Sequence, residues 1–338
     1  MKIRIEINDA SPKPIYVQIQ DNIINSVQNK TIDPNEQLPS INEVSDELEV
    51  ARKTVEKAYN ELKRKNIIVS VPGKGFFISE NNSLDQKKVM LMFDIMNNQN
   101  NLIHQSFMKT MKDHTLVDFL VYHKDPGTFI NYLIHAPDEY SHYVIMGHFN
   151  SRAKEAIAMI NQLPKHKLII LDRKLPGIQG DYSFIMQSFD AILYTALCEL
   201  SDSLINYNRL VVIFPKFTYY PKDMLSGIRK FSQESDFPCE VVEDIESHKR
   251  KRGDVFLVLT EKALASTVLS LQKSKLILGE TVGIISYTDH PINEILAGGI
   301  TAISPNFKGM GRLAAEAVLS DKKISASIDY DIHMRKSL

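Results

Sequence analysis

The chain has 338 residues, more than one average domain, and predicts two or three compact units. Its 43% apolar and 24% charged residues are ordinary for a globular protein and exclude wholesale disorder. A formal charge of −1 gives no global pull toward nucleic acid, so such a partner must be argued from a local patch.

The start, Met1-Lys2-Ile3-Arg4-Ile5-Glu6, puts an acid where a signal peptide needs an apolar core. Pro14 then opens a helical stretch with Ile15, Ile19, Ile23 and Val27 at four-residue steps, one apolar stripe. Asp33-Pro34-Asn35 is a turn cluster. Ser40-Ile41-Asn42-Glu43 reads as a capping box, the serine closing the first turn of a short helix and the glutamate reaching back to it. A third helix runs through Ala51–Lys65 with Val55, Ala58, Tyr59 and Leu62 inward. Ile67-Ile68-Val69, Pro72-Gly73-Lys74-Gly75 and Phe76-Phe77-Ile78 read as strand, tight turn and strand. Three helices and a hairpin make an α+β winged helix-turn-helix over 1–79. The polar stretch after it, 80–88, reads as a linker.

From Val89 onward, short β-rich apolar runs alternate with helix-length amphipathic segments. Val89–Phe93, Leu116–Val121, Tyr143–Met146, Lys167–Leu171, Leu210–Phe214, Val255–Leu259 and Val282–Ile285 are the strand candidates. Ser151–Gln162, Phe189–Leu200, Asp223–Gln233 and Lys262–Lys273 are the helices between them. This alternation implies βαβ units, a parallel sheet covered on both faces, and length enough for two α/β lobes. No apolar run nears the roughly 18 residues of a membrane helix. The chain reads as cytoplasmic, with no membrane partner.

The third helix turns Arg52, Lys53, Glu56, Lys57, Asn60, Lys63 and Arg64 outward. Between Ala51 and Gly75 seven basic residues face two acids. Phosphate contacts supply most of the affinity for a duplex, and a helix in the major groove reads base edges. A basic run alone is more often a solvated helix face; here the turn-then-helix context and the glycine-bounded Lys74 favour DNA.

These residues resemble the GntR family of bacterial transcription regulators. The match runs from Pro14-Ile15-Tyr16-Val17-Gln18-Ile19 through Leu38-Pro39-Ser40 and Arg52-Lys53-Thr54-Val55 to Gly73-Lys74-Gly75-Phe76-Phe77. The resemblance implies operator binding as a homodimer, with Ser40, Arg52, Lys53, Thr54 and the wing Gly73, Lys74 and Gly75 at the DNA; Asn42 and Lys57 join that candidate surface. Asn42 stands where the family usually has arginine, Ala51 where it has serine, and Glu56 where it often has arginine. These changes bear on base preference.

The larger part shows no G-x-S-x-G elbow, no phosphate loop of the G-x-x-x-x-G-K-[ST] type and no G-x-G-x-x-G turn. Its histidines lack metal-binding spacing, and Cys198 and Cys239 lie too far apart for a metal knuckle or a redox pair. It therefore reads as no enzyme, with no metal and no cofactor. Polar and aromatic residues do recur just after strand ends, where open α/β sheets bind ligands. Phe93, Asp94, His148, Asn150, Arg173, Tyr220, Lys222, Thr260, Glu261, Tyr287 and Asp289 are the effector candidates. Aromatic faces stack on sugar C–H groups, and carboxylates and amides bond the hydroxyls. Each alone could equally be a cap or a loop residue.

This part resembles the LacI-type sensor, the fold of periplasmic sugar-binding proteins. The resemblance is carried by Ile169-Ile170-Leu171-Asp172-Arg173, Val282-Gly283-Ile284-Ile285-Ser286-Tyr287-Thr288-Asp289, Ile300–Ile303, Met310–Glu316 and His333–Leu338. Lys222 stands where that family commonly has arginine, Thr288 replaces the first of an acidic pair, and Thr260 an asparagine. The resemblance implies a periplasmic-binding-protein-like domain at 89–338. Its lobe 1 would hold 89–174 and 290–320, and its lobe 2 182–287 and 321–338. Crossovers are expected near Lys174–Tyr182, Tyr287–Pro291 and Ser320–Ile324. The resulting expectation is a sugar-responsive regulator, a repressor of carbohydrate-use genes answering a pentose or deoxyhexose such as arabinose or fucose. Two alternatives are a pyridoxal-phosphate GntR fusion enzyme, for which the second part is too short, and a sugar sensor that has lost DNA binding.

Overall fold

The computed structural model describes residues 5–8, 11–29, 31–80, 87–111, 115–135, 140–150, 153–216, 218 and 220–338. The chain forms two compact units. One holds the front of the chain through Met90 with 111–118 and 137–142; the other holds 91–110, 119–136 and 143–338.

The front contains α1 (Ile15–Gln28), α2 (Ile41–Glu47) and α3 (Arg52–Arg64), then β1 (Ile68–Val71) paired antiparallel with β2 (Gly75–Ile78). Ile19, Ile23 and Val27 of α1 meet Val55, Ala58, Tyr59 and Leu62 of α3 in one buried cluster. Ile15, the first residue of the expected stripe, is 37% exposed. At the head of α2 the capping box is complete: Ser40 Oγ accepts from the Glu43 N–H at 3.2 Å, and Glu43 Oε2 from the Ser40 N–H at 2.7 Å. The hairpin turns at Gly73, whose φ of +73° is a conformation glycine adopts without steric cost.

Two six-stranded sheets follow the hairpin in the chain. The first has the order β13-β7-β6-β5-β3-β4, built from β3 (Lys87–Phe93), β4 (Thr115–Val121), β5 (His142–Met146), β6 (Leu168–Asp172), β7 (Ser183–Met186) and β13 (Ser325–Ser327). The second has the order β14-β12-β11-β10-β8-β9, from β8 (Arg209–Ile213), β9 (Cys239–Val242), β10 (Asp254–Val258), β11 (Gly283–Tyr287), β12 (Thr301–Pro305) and β14 (Tyr330–His333). Pairing from β5 to β13 and from β9 to β12 is parallel; β14 joins antiparallel. Strands such as β6 and β10 are buried at every position, the continuous apolar pattern of a sheet covered on both faces.

Four helices bear on the candidate site: α4 (Asn98–Met111), α7 (Phe189–Glu199), α10 (Glu261–Gln272) and α12 (Phe307–Ser320). A Cβ at Gly311 of α12 would lie 2.2 Å from the Ile103 carbonyl oxygen of α4, so only glycine permits that approach.

The sheets correct the expected lobes. β7 and β13 belong to the first sheet and β12 to the second, so the chain changes sheet at Gln187–Ser188, at Asn306 and at Ile328–Asp329. None of the three expected crossover segments is where the change occurs. Lys87 and Lys88, read as linker, begin β3, while 81–86 lie outside the described residues.

Candidate functional site

Arg52, Lys53 and Lys57 are exposed along α3, and Thr54 is half-buried. The helix is held from behind by Tyr59, fully buried, whose Oη donates to the Pro39 carbonyl at 2.8 Å and whose ring meets Phe76 edge-on at 4.9 Å. One side chain thus fixes α3 against both the head of α2 and the wing. Gln37 Nε2 donates to the Lys74 carbonyl at 2.7 Å, fixing the wing tip with Lys74 exposed. Lys57 Nζ lies 3.8 Å above the Tyr16 ring, a cation–π contact that competes with any phosphate for it. Ala51 precedes α3 with no side-chain cap.

In the second unit a cleft of about 350 Å³ opens at the C-terminal ends of the strands of both sheets. Asn97, Asn98 and Gln99 line it from the start of α4, and Tyr220, Thr260, Glu261, Thr288 and His290 from the second sheet's side. Gln99 Nε2 reaches Tyr220 Oη at 3.3 Å and Thr288 Oγ1 at 3.4 Å; Asn98 Nδ2 reaches Glu261 Oε1 at 3.3 Å. Thr288 Oγ1 also lies 2.9 Å from His290 Nε2. Thr260 Oγ1 caps α10, accepting from the Ala263 N–H at 3.1 Å. Thr288 has a φ of +81°, a costly conformation for a β-branched residue, and Asp172 of +74°, which aspartate tolerates better; the two mark a strand end in each sheet.

Beneath the cleft sits a buried ionic cluster. His148 Nδ1 is 3.2 Å from Asp94 Oδ2, and its Nε2 3.0 Å from Asp172 Oδ2. Burial pushes the imidazole pKa down, but hydrogen bonds to Asp172 and then Asp94 outweigh it and hold the pKa above the ordinary value. Asp172 also accepts from Gln187 Nε2, and Gln187 Oε1 accepts from Tyr287 Oη at 3.1 Å. A hydrogen-bonded chain therefore runs from the first sheet to the second. Tyr287 packs edge-on against Tyr220 at 5.4 Å. Arg173 lines a second cavity of about 260 Å³ with Gln187 and Ser188.

A family model described as "Bacterial regulatory proteins, gntR family" matches residues 15–78. The Bacillus subtilis (strain 168) protein named "Uncharacterized HTH-type transcriptional regulator YhcF" is 32% identical over 104 residues, covering 30% of this chain and 79% of that protein. The chain belongs to the GntR family. A second GntR-region relative, the "HTH-type transcriptional repressor YtrA" of the same organism, is 38% identical over 77 residues, 23% of this chain and 59% of that one. Behind the GntR domain, 75% of the chain matches solved LacI-type structures. One is the transcription regulator CcpA of Lactococcus lactis, with TM-score 0.58 at 11% identity and 99% of that chain covered. Another is a LacI family regulator from Lactobacillus casei with bound glucose, with TM-score 0.56 at 12% identity and 100% covered. The chain is thus a transcriptional regulator with a GntR DNA-binding domain, and the rest of it has the fold of LacI-family regulators. No described helix is long and apolar enough to cross a membrane.

In this GntR regulator the candidate effector residues divide. Tyr220, Thr260 and Glu261 line the cleft. Phe93 is fully buried against Phe119, and Asp94, His148 and Tyr287 are at most 2% exposed and face one another's networks, so they support the cleft without lining it. Asp289 corrects the expectation most clearly: Arg335 clamps it bidentately at 2.7 and 2.8 Å, away from the lining. Asn150 is exposed and its N–H donates to the Lys124 carbonyl; Lys222 is exposed outside both cavity linings. Asn97, Asn98, Gln99, Thr288 and His290 line the cleft and were not among the candidates. The signal available for the amides was their position at the start of a helix four to six residues past the end of the first strand.

Proposed function

We propose that the chain is an effector-controlled repressor of carbohydrate-use genes, not an enzyme, which holds operator half-sites as a homodimer and answers a small sugar. The observation that carries this reading is the cleft itself. An amide-rich wall (Asn97, Asn98, Gln99) faces an aromatic ring (Tyr220), two hydroxyls (Thr260, Thr288), a carboxylate (Glu261) and an imidazole (His290). Its roughly 350 Å³ lies at the small end of ligand pockets, a size suited to a pentose or deoxyhexose such as arabinose or fucose. The Lactobacillus casei LacI-family neighbour has glucose bound in one structure and sucrose in another, which supports the sugar class.

The reading assigns DNA contact to Ser40, Asn42, Arg52, Lys53, Thr54, Lys57 and the wing Gly73–Gly75. It keeps a front domain at 1–79 and moves the start of the second part to Lys87, where β3 begins, with each lobe following its sheet. Effector replaces the long Gln99 bonds to Tyr220 and Thr288, the two lobes change their packing, and operator affinity falls. If that fall is ~100-fold, the coupling is ~3 kcal/mol, and DNA weakens effector binding equally.

A thermal-shift screen against mono- and disaccharides tests the first half: a ligand at 100 times its Kd adds ~2.7 kcal/mol. Titration of labelled promoter duplex with and without the hit tests the second. No stabilising saccharide, or a stabilising one that leaves DNA affinity unchanged, sinks the proposal.

A further inference from the structure

Four consecutive cations, Lys249-Arg250-Lys251-Arg252, lie where neither the recognition helix nor the cleft uses them. They precede β10, at the strand-start end of the second sheet, opposite the cleft. The loop is held from within. Asp254, 1% exposed, accepts from Arg209 Nε at 2.7 Å and from the Lys251 backbone N–H at 2.7 Å. His248, also buried, sits 3.2 Å from Asp254 and 3.3 Å from Glu240. Arg250 donates to Ser270 Oγ of α10, and the Gly253 N–H to the Thr281 carbonyl at 2.7 Å.

Those anchors leave Lys249, Lys251 and Arg252 exposed beside the end of α10, where Lys273 and Lys275 are exposed too. Among the described residues no carboxylate pairs with the three loop cations. Glu243 and Asp244 of the same connection lie at the other end of the sheet, beside Thr260 and Lys262. Acids also stand at this end: Glu240, half-buried, held by Arg209 and beside His248, with the exposed Glu246 and, before β11, Glu280. Ordering like charges side by side opposes folding, and among the described residues the side chains of Lys249, Lys251 and Arg252, unlike Arg250, make no hydrogen bond or ion pair.

We propose that this face is a second phosphate-binding surface, taking the backbone of duplex DNA in addition to the contact made by the GntR domain. A phosphate track asks for clustered cations and little shape. An acidic protein partner would ask for an apolar interface core, and Ser247–Gly253 contains no apolar side chain.

The test uses full-length protein, a labelled duplex of scrambled sequence, and the salt dependence of binding. Lys249→Ser/Lys251→Ser/Arg252→Ser should make the log–log slope shallower by about 2.7, three contacts at ~0.9 each. The change should be the same in wild type and in an Arg52→Ala/Lys53→Ala background. Lys249→Arg/Lys251→Arg/Arg252→Lys should keep the original slope. An unchanged slope in both backgrounds, or equal loss in the charge-conserving variant, overturns the proposal. So does polyglutamate competing better than duplex, which would assign the face to an acidic protein. Failure of the operator reading would look different: no slope difference between wild type and the Arg52/Lys53 variant.

Discussion

The imidazole of His148 lies 3.0 Å from the Asp172 carboxylate, with both side chains 2% exposed and Asp94 on the other ring nitrogen at 3.2 Å. Burial lowers the His148 pKa, and the two carboxylates more than reverse it. A group whose folded pKa is raised contributes stability that is fully present below its unfolded value, about 6.5, and is lost as pH rises through the folded value. Thermal melts from about pH 6 to 9 should therefore show declining stability of the sensor. His148→Ala should cost about 3–5 kcal/mol, because two buried carboxylates lose the imidazolium between them and Asp94 keeps only the more distant Lys124 at 3.9 Å, and should flatten that decline. A pH profile unchanged by the substitution would refute the assignment.

The head of α3 offers a gain of stability. Ala51 has φ −58° and ψ 131°, an extended geometry compatible with a cap, and supplies no side-chain oxygen. Ala51→Ser should let its hydroxyl accept from the first-turn N–H groups and add about 1 kcal/mol to the winged helix, seen as a higher urea midpoint at unchanged slope. A midpoint that stays put would mean those N–H groups are already satisfied by water.

Local signals in the sequence were legible where one element determines the outcome. The Ser40–Glu43 capping box, the Val55, Ala58, Tyr59 and Leu62 face and the glycine-turned wing appear as read, because caps and periodicity act within a few residues. Sheet membership was not legible. β7 and β12 carry no mark of which sheet they join, since that depends on crossovers set by packing across the whole unit. The cleft was half legible for a related reason. Strand-end position identified Tyr220, Thr260 and Glu261, but in β3 and β11 the strand-end residues Phe93 and Tyr287 point into the core. No local pattern could show that Asp289 is taken by Arg335, 46 residues on.

That Arg335–Asp289 pair gives a prediction at acid pH. Burial raises the Asp289 pKa, but the Arg335 hydrogen bonds and charge bring it below the usual carboxylate value. Stability from a lowered pKa is present above the unfolded value, about 3.9, and is lost as pH falls through the folded one. Asp289→Asn should weaken the sensor at neutral pH and leave less stability to lose between about pH 5 and 2, checked by acid-induced unfolding. It should leave the affinity for the proposed saccharide unchanged, since Asp289 is not on the cleft lining. Loss of ligand binding in a folded variant would restore Asp289 to the effector site.

Tyr287 supplies the sharpest test of how the sheets communicate. Its hydroxyl, held neutral by burial, donates across to Gln187, which stands where the chain first changes sheet and itself donates to Asp172. Tyr287→Phe keeps the ring and its edge-on contact with Tyr220 but leaves the Gln187 carbonyl, in a side chain 5% exposed, without that donor. The expected cost is about 1–3 kcal/mol of sensor stability. If the bond differs between the empty and filled cleft, effector affinity changes too, whereas a purely structural bond would lower the melting temperature alone. Comparing melts and saccharide titrations of Tyr287→Phe with those of Gln187→Ala separates the two. Gln187→Ala also removes the bond to Asp172, so the Tyr287 bond is the coupling element if Tyr287→Phe adds no loss of effector affinity to Gln187→Ala; additive losses would place the coupling elsewhere.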